Sequence, residues 1–267
     1  MEKIKLLVLL LISFLISLFF SGFSTAKILS GNINKEDYLE NAHVVIDGRN
    51  GGPVSNAEVS IPSKGFFTKT NSYGQFKLDA SLDGPAILSV QADGYKPFSL
   101  TVNEQSVKDP LIVVITKLFN NEIVIDNSLH HLGDDKFSSS SANFYDFRSK
   151  SEGPYFFKEF YLDKVNPKET PVLSLGSIIG LDTSMAKRLA QSKSTISASS
   201  PVNIFLNSQK IGEIKINGDN QGIPLPKSLL RPNSYNTIRI ETGINQAARE
   251  YTDYDDIEFM NIVLQVK

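Results

Sequence analysis

Two clusters of acidic side chains are the first candidates for chemistry in this 267-residue chain. Asp134 and Asp135 are adjacent in sequence, and a second cluster lies close to the C-terminal end: Asp253, Asp255, Asp256 and Glu258. Calcium takes about six to eight oxygen ligands, which clustered carboxylates can supply. The alternative is a solvated acidic loop without a metal, and neither cluster has the spacing of an EF-hand. A calcium site therefore requires a fold that brings the two clusters together.

The three histidines do not form a recognisable catalytic set. A zinc peptidase needs two histidines and a carboxylate at ligand spacing, together with a catalytic base. His43 falls in an apolar run typical of a strand, and the neighbours His130 and His131 would point to opposite faces of a strand. No H-E-x-x-H motif, G-x-S-x-G motif or phosphate-binding glycine loop is present. Two carboxylates on one strand also cannot flank a sugar bond, so we predict no catalytic residues and no enzyme.

Tyrosine side chains in predicted loops are candidates for ligand binding. Tyr251 precedes the second acidic cluster, Tyr254 lies within it, and Asn233 lies in a predicted turn. Exposed tyrosine rings can stack on the apolar faces of amphipathic ligands such as sugars. For the aromatic run 155–161 (YFFKEFY), alternation predicts a strand buried on one face. The chain has no Trp, and this absence argues against tight glycan binding.

Composition restricts the partners and the compartment. The 27 basic and 29 acidic residues give a net charge of −2, and no long basic run is present, so nucleic acids and anionic membrane surfaces are not expected partners. With no Cys, the chain has neither a lipid-attachment cysteine nor disulfides. Each module must therefore be stable through core burial alone. An exported protein without disulfides is more typical of bacteria.

The N-terminal segment has the layout of a secretory signal peptide over residues 1–26. Lys3 and Lys5 precede an apolar run at 6–20, and small residues at 24–26 offer a cleavage site. The alternative is an uncleaved anchor, but as a helix this run would be roughly 22 Å long, against about 30 Å of hydrocarbon core. We predict export to the periplasm or outside the cell, with a flexible leader at 27–41.

Residues 42–118 predict a seven-stranded β-sandwich. Short β-branched runs recur at about ten-residue spacing, with Gly and Asn or Asp at the reversals. Three separated motifs carry a resemblance: 52–59 (GPVSNAEV), 68–76 (TKTNSYGQF) and 88–95 (LSVQADGY). In order and spacing they resemble the carboxypeptidase regulatory-like domain, which implies a non-catalytic, transthyretin-like sandwich. Asn71 replaces the usual Asp of that family, and either side chain can form the local turn.

Residues 120–267 predict a second all-β module. Seven candidate strands are predicted: 122–125, 155–162, 172–181, 202–206, 210–216, 235–241 and 257–266. A short capped helix is predicted to follow Asp182. The last strand changes its apolar phase near 259–261, which favours a β-bulge over burial on both faces. Seven or eight strands in such a length favour a jelly roll.

The order of motifs in this second module is similar to that of the galactose-binding-like jelly roll found in carbohydrate-binding modules. The resemblance rests on 201–207 (PVNIFLN), 235–240 (YNTIRI) and 255–259 (DDIEF). It implies carbohydrate binding, and chain ends that meet at a structural calcium. On that basis Asp256 is the first candidate ligand, with Asp134 or Asp135 opposite it.

The sequence as a whole predicts an exported, non-catalytic binding or adhesion protein with a polysaccharide as the expected ligand. A second hypothesis is an envelope structural or assembly protein that acts through protein–protein contacts, for which the exposed edge strands of a sandwich would be suited.

Overall fold

A computed structural model describes residues 39–166 and 168–266. The predicted signal peptide and most of the predicted leader lie outside the described residues. Within the described ranges, no helix has the length and apolar character needed to cross a membrane. Almost all regular structure in these ranges is β-strand, which confirms the predicted all-β class.

The first part of the described chain is a sandwich of a three-stranded and a four-stranded sheet. The strand orders are β4-β1-β7 and β3-β2-β5-β6, and only the β1–β7 pairing is parallel. All seven predicted strands are present. They are β1 (His43–Asp47), β2 (Glu58–Ile61), β3 (Phe66–Lys69), β4 (Gln75–Phe76), β5 (Ala86–Gln91), β6 (Phe98–Val102) and β7 (Ile112–Ile115).

The core of this sandwich follows from the period of two along its strands. β1 alternates buried and half-buried side chains, and its buried Val45 packs in one cluster with Phe76, Leu88 and Ile115. The turn before β4 depends on Asn71, whose side-chain oxygen accepts hydrogen bonds from two backbone N–H groups. Asn therefore forms the turn for which the family usually has Asp.

The second part is an eight-stranded antiparallel sandwich. Its sheets have the orders β8-β15-β10-β13 and β9-β14-β11-β12, and a shared core lies between them. If the eight strands β8 to β15 are lettered B to I in chain order, the two sheets read B-I-D-G and C-H-E-F. This strand order is the arrangement of a jelly roll. The strands are β8 (Glu122–Leu132), β9 (Tyr155–Leu162), β10 (Val172–Ile179), β11 (Val202–Leu206), β12 (Gln209–Ile214), β13 (Gly218–Pro224), β14 (Ser234–Glu241) and β15 (Ile257–Gln265). The predicted helix is α1 (Ser184–Arg188).

Two strands differ from the prediction. The sequence predicts that β8 ends at Ile125, since Asp126-Asn127-Ser128 has the composition of a turn. In the structure the strand continues to Leu132. Pairing with β15 keeps the segment extended instead. β13 was not predicted, since its sequence (GDNQGIP) is polar and has no apolar alternation. It lies at the edge of its sheet, and among the described strands it pairs with β10 only.

β15 contains the predicted bulge, and it is also buried on both faces. Its register against β8 shifts around Asn261, which has a φ of 62°. One face of β15 lies in the jelly-roll core. On the other face, Met260 packs against Ile179 and against Ile87 of the first sandwich. Both of the alternatives considered from the sequence therefore hold.

The two sandwiches contact each other through β5 and β6 on one side and β10, β13 and β15 on the other. Asp219 accepts hydrogen bonds from the backbone N–H and hydroxyl of Thr101, at 2.9 and 2.7 Å. Gly176 of β10 lies so close to Ser99 that no side chain fits at this position. In the described chain, the first sandwich thus packs on the β8-β15-β10-β13 sheet and does not cover the outer face of the β9-β14-β11-β12 sheet.

Candidate metal centre and ligand-binding face

The two acidic clusters meet at one end of the jelly roll. β8 and β15 are antiparallel, so the end of β8 lies beside the start of β15, with His131 opposite Glu258. The loop that follows β8 is tied to the loop that precedes β15. Asp135 N–H donates to Asp256 Oδ1 at 2.9 Å, and Tyr254 N–H donates to Asp134 Oδ2 at 3.3 Å.

His131, Asp135 and Asp256 form a group of potential metal ligands. One ligand atom from each lies within 4.8 Å of the other two. His131 and Asp256 are buried, and Asp135 is exposed. His131 Nε2 lies 3.0 Å from Asp256 Oδ1, and its Nδ1 lies 2.5 Å from the carbonyl oxygen of Ser149. Of the three predicted metal ligands, Asp135 and Asp256 are in the group, whereas Asp134 is paired with Lys136 at 3.0 Å.

Gly133 permits the close approach of Asp256. It has a φ of +151°, and a Cβ at this position would overlap the Asp256 carboxylate. Only glycine combines this backbone conformation with the absence of a side chain. The loop from β8 can therefore close over Asp256 and bring Asp135 to it.

Carboxylate oxygens in this group and on the neighbouring Glu258 have no hydrogen-bond donor among the described residues. Asp256 Oδ2 and both carboxylate oxygens of Glu258 are buried, and no residue within 39–166 or 168–266 is a hydrogen-bond partner to them. Burial raises the pKa of Glu258 to about 7, while the charges of His131 and Lys64 oppose the increase. Burial acts to lower the pKa of His131, but hydrogen bonds to Asp256 and Ser149 raise it above its usual value.

Three further buried carboxylates join loops at the same end of the sandwich. Asp255 accepts from the Asp182 N–H at 3.1 Å and from the Ser199 hydroxyl at 2.5 Å. Asp182 accepts from the Phe144 N–H, and Asp253 from the Ala142 N–H. Burial raises the pKa of Asp182 to about 6 and that of Asp255 well above its usual value. These side chains are not a solvated acidic loop.

The predicted ligand-binding residues lie in separate places. The ring of Tyr251 is covered on one side by the Lys136 ammonium, 4.6 Å from its centroid. Tyr254 is half-buried and is hydrogen-bonded to Tyr155, and this bond, with burial, raises the pKa of Tyr254. Asn233 is exposed at a positive-φ turn position immediately before β14. Tyr254 and Asn233 thus flank one sheet, and Tyr251 belongs to the acidic loops.

An exposed aromatic surface lies on the outer face of that sheet. Tyr155, Phe157 and Tyr161 alternate along β9 and are 54%, 61% and 48% exposed. Tyr235 of β14 is 63% exposed, and its ring packs edge-on against Tyr161 with centroids 5.4 Å apart. We call these four side chains, with Phe205 of β11, the aromatic face.

Charged and polar groups are interspersed with these rings. Arg239 pairs across the strands with both Phe157 and Phe205, and its guanidinium lies 4.0 Å from the centroid of the Phe205 ring. It also forms an ion pair with Glu241 at 2.9 Å. The surface therefore offers flat apolar rings next to hydrogen-bond donors and acceptors.

Sequence reasoning placed Glu258 in the second acidic cluster without naming it as a metal ligand, and it missed His131 as a ligand and the aromatic face. The alternation along β9 predicted a strand buried on one face without saying which, and the buried face is the one that carries Phe156 and Phe160. The same alternation places three aromatic side chains on the opposite side. That exposed aromatic stripe is a signal that the sequence contained.

Comparison with known families gives one match for the first sandwich. Residues 43–125 match the CarboxypepD_reg-like domain. The CarboxypepD_reg-like match includes all seven strands of the first sandwich and continues into β8. It supports the predicted resemblance for that part of the chain and leaves out the jelly roll, the acidic loops and the aromatic face.

Comparisons with whole proteins add little to the CarboxypepD_reg-like match. No curated protein matches the chain. Among solved structures, a glycosyl hydrolase family 2 (GH2) member from Bacteroides cellulosilyticus DSM 14838 is similar at 10% identity with a TM-score of 0.27. The match covers 53% of this chain and 20% of the hydrolase chain, so this chain spans about a fifth of its length. A likeness at this level gives no information on function.

Proposed function

We propose that this chain is an exported, non-catalytic binding protein, whose jelly roll binds a polysaccharide through the aromatic face. The observation that carries the proposal is the set of four aromatic side chains, each at least 48% exposed, on one sheet face. Exposed apolar side chains that cluster on one face and are bordered by polar groups typically mark a binding site.

The chemistry of the aromatic face suits a sugar better than an apolar ligand. Pyranose rings have apolar C–H faces that stack on aromatic rings, and hydroxyl groups at their edges. Arg239 and Glu241 lie among the rings and provide donors and acceptors for hydroxyl groups. Two further polar side chains lie beside the aromatic face. Tyr254 is hydrogen-bonded to Tyr155, and Asn233 lies next to β14.

The proposal can be tested by affinity electrophoresis and calorimetry. Both measure binding of the full chain to a panel of neutral and acidic polysaccharides. We expect at least one polysaccharide to bind, and Phe157→Ala and Tyr235→Ala each to weaken binding at least about tenfold. Phe67→Ala is the matched control, because Phe67 is 59% exposed but belongs to the first sandwich. Equal binding by all three variants, or no binding to any polysaccharide, would contradict it.

An envelope assembly role is the second candidate, and one surface of the first sandwich supports it. Val44 and Ile46 of β1 pair with Ile112 and Val114 of β7 and form an aliphatic patch beside an open strand edge. Ile112 is 68% exposed. If the protein acts through this edge, an Ile112→Lys variant would lose a stoichiometric protein partner and keep any polysaccharide binding.

A further inference from the structure

The His131–Asp256 contact requires a positive species between its two atoms. Ser149 provides only a carbonyl oxygen, so His131 Nδ1 carries a proton and donates to it. Nε2 then faces Asp256 Oδ1 at 3.0 Å, and two lone pairs cannot stay in contact unaided. The contact therefore needs either a proton, carried by the ring or by the Asp256 carboxyl, or a metal ion bound to both atoms. A backbone carbonyl on one ring nitrogen is also the usual support for a histidine that binds metal through the other.

The surrounding carboxylates favour a metal ion over a proton. Asp256 Oδ2, Glu258 Oε1 and Glu258 Oε2 are all buried without a donor from the part of the chain that the structure describes, and both residues have 0% exposure. Glu258 lies directly opposite His131 in the β8–β15 ladder, so the two side chains share one face. One proton would leave these three oxygens unsatisfied, which is energetically unfavourable in a protein interior.

We propose that His131, Asp135 and Asp256 bind a divalent cation of the zinc class, with the buried Glu258 carboxylate beside the site. Calcium binds to oxygen ligands and has little affinity for imidazole, whereas zinc prefers one or more imidazole ligands among carboxylates. The 3.0 Å separation of Nε2 and Oδ1 is also close to that of two ligands about 2.0–2.1 Å from one zinc ion. The exposed Asp135 provides the path by which the ion enters.

This assignment revises the calcium expectation and does not depend on the proposed polysaccharide binding. It replaces Asp134 by His131 and changes the class of ion. It also lies at the loop end of the jelly roll, whereas the aromatic face lies on the outer surface of one sheet.

Calorimetry and thermal unfolding of the full chain test the proposal after treatment with a chelator. We expect one zinc ion per chain and a higher unfolding temperature with zinc. His131→Gln and Asp135→Asn should each weaken zinc binding at least about tenfold. Asp135 is exposed, so its variant tests the site even if the buried His131 variant fails to fold. His130→Gln is the matched control, because His130 points to the opposite face and contacts Asp126 and Glu152.

Three results would overturn the proposal. One is a folded chain that takes up no zinc, or that binds calcium in its place. Another is zinc affinity that is unchanged in the Asp135→Asn variant. The third is a nitrogen NMR spectrum in which His131 keeps two ring protons with zinc present, which would identify the positive species as a proton.

Discussion

At the scale of single residues, Asp126 on β8 shows how a buried carboxylate is kept charged. It accepts hydrogen bonds from Lys158 Nζ and from the Ser128 N–H, both at 2.8 Å, and lies 3.1 Å from His130 Nε2. Burial acts to raise the pKa of Asp126, but these three contacts outweigh it and lower the pKa to about 2. Asp126 differs in this respect from Glu258, whose carboxylate has no donor in the described ranges.

The lowered pKa of Asp126 predicts a dependence of stability on pH. The charged Asp126 carboxylate stabilises the folded chain fully at pH values above about 4, where this side chain is also ionised in the unfolded chain. This contribution is lost as the pH falls towards 2, the pKa of Asp126 in the folded chain. Asp126→Asn should reduce the free energy of unfolding by about 2 kcal/mol at pH 7. The difference from the unaltered chain should vanish between pH 4 and pH 2 in urea titrations. With the exposed Asp109→Asn as the control, a difference that persisted at pH 2 would contradict this origin.

At the scale of elements, α1 is short and depends on its cap. Thr183 is the N-cap, and its hydroxyl oxygen accepts from the Ala186 N–H at 3.1 Å while the hydroxyl donates to the Lys215 carbonyl. A helix of five residues has few internal hydrogen bonds, so tertiary contacts and the cap determine whether it forms. The loop after it carries Ser199, which donates to the buried Asp255.

Loss of the Thr183 hydroxyl should therefore be costly for so small an element. We expect Thr183→Ala to lower the free energy of unfolding by about 1–2 kcal/mol, measured by urea titration. Thr183→Ser keeps the hydroxyl and should retain most of the stability. Equal losses in the two variants would show that the methyl group, rather than the cap, is responsible.

At the scale of the whole molecule, the two sandwiches meet through a close backbone approach. Gly176 of β10 faces Ser99 of β6 and Asn261 of β15, and a Cβ at position 176 would overlap the Ser99 hydroxyl. Ser99 Oγ is buried and has no hydrogen-bond partner among the residues that the structure describes. The contact therefore depends on the absence of a side chain at 176 more than on a bond from Ser99.

A double-mutant cycle across this contact measures how the sandwiches are coupled. Gly176→Ala should destabilise the protein by about 1–3 kcal/mol through overpacking. Ser99→Ala removes the overlapping atom, so the double variant should be at least about 0.5 kcal/mol more stable than the sum of the single effects predicts. Strict additivity would mean that the two sandwiches do not press together at this point.

The sequence by itself determined the local structure and its limits. Alternating β-branched runs and turn residues were sufficient for all seven strands of the first sandwich, the β15 bulge and the capped α1. Backbone sterics and side-chain alternation act over a few residues, so these features are encoded locally. The sequences of β13 and of the second half of β8 have no apolar alternation, so they could not be predicted as strands. Pairing with strands distant in sequence holds them extended.

Only the tertiary structure decided which side chains meet. The clusters at 134–135 and 253–258 were recognised as partners, but the register of β8 against β15 is what places His131 beside Asp256 and opposite Glu258. The exposure of Tyr155 and Phe157 likewise depends on which sheet face the first sandwich covers. Strand register and the packing of one sandwich on another bring together residues far apart in sequence, and no local pattern specifies them.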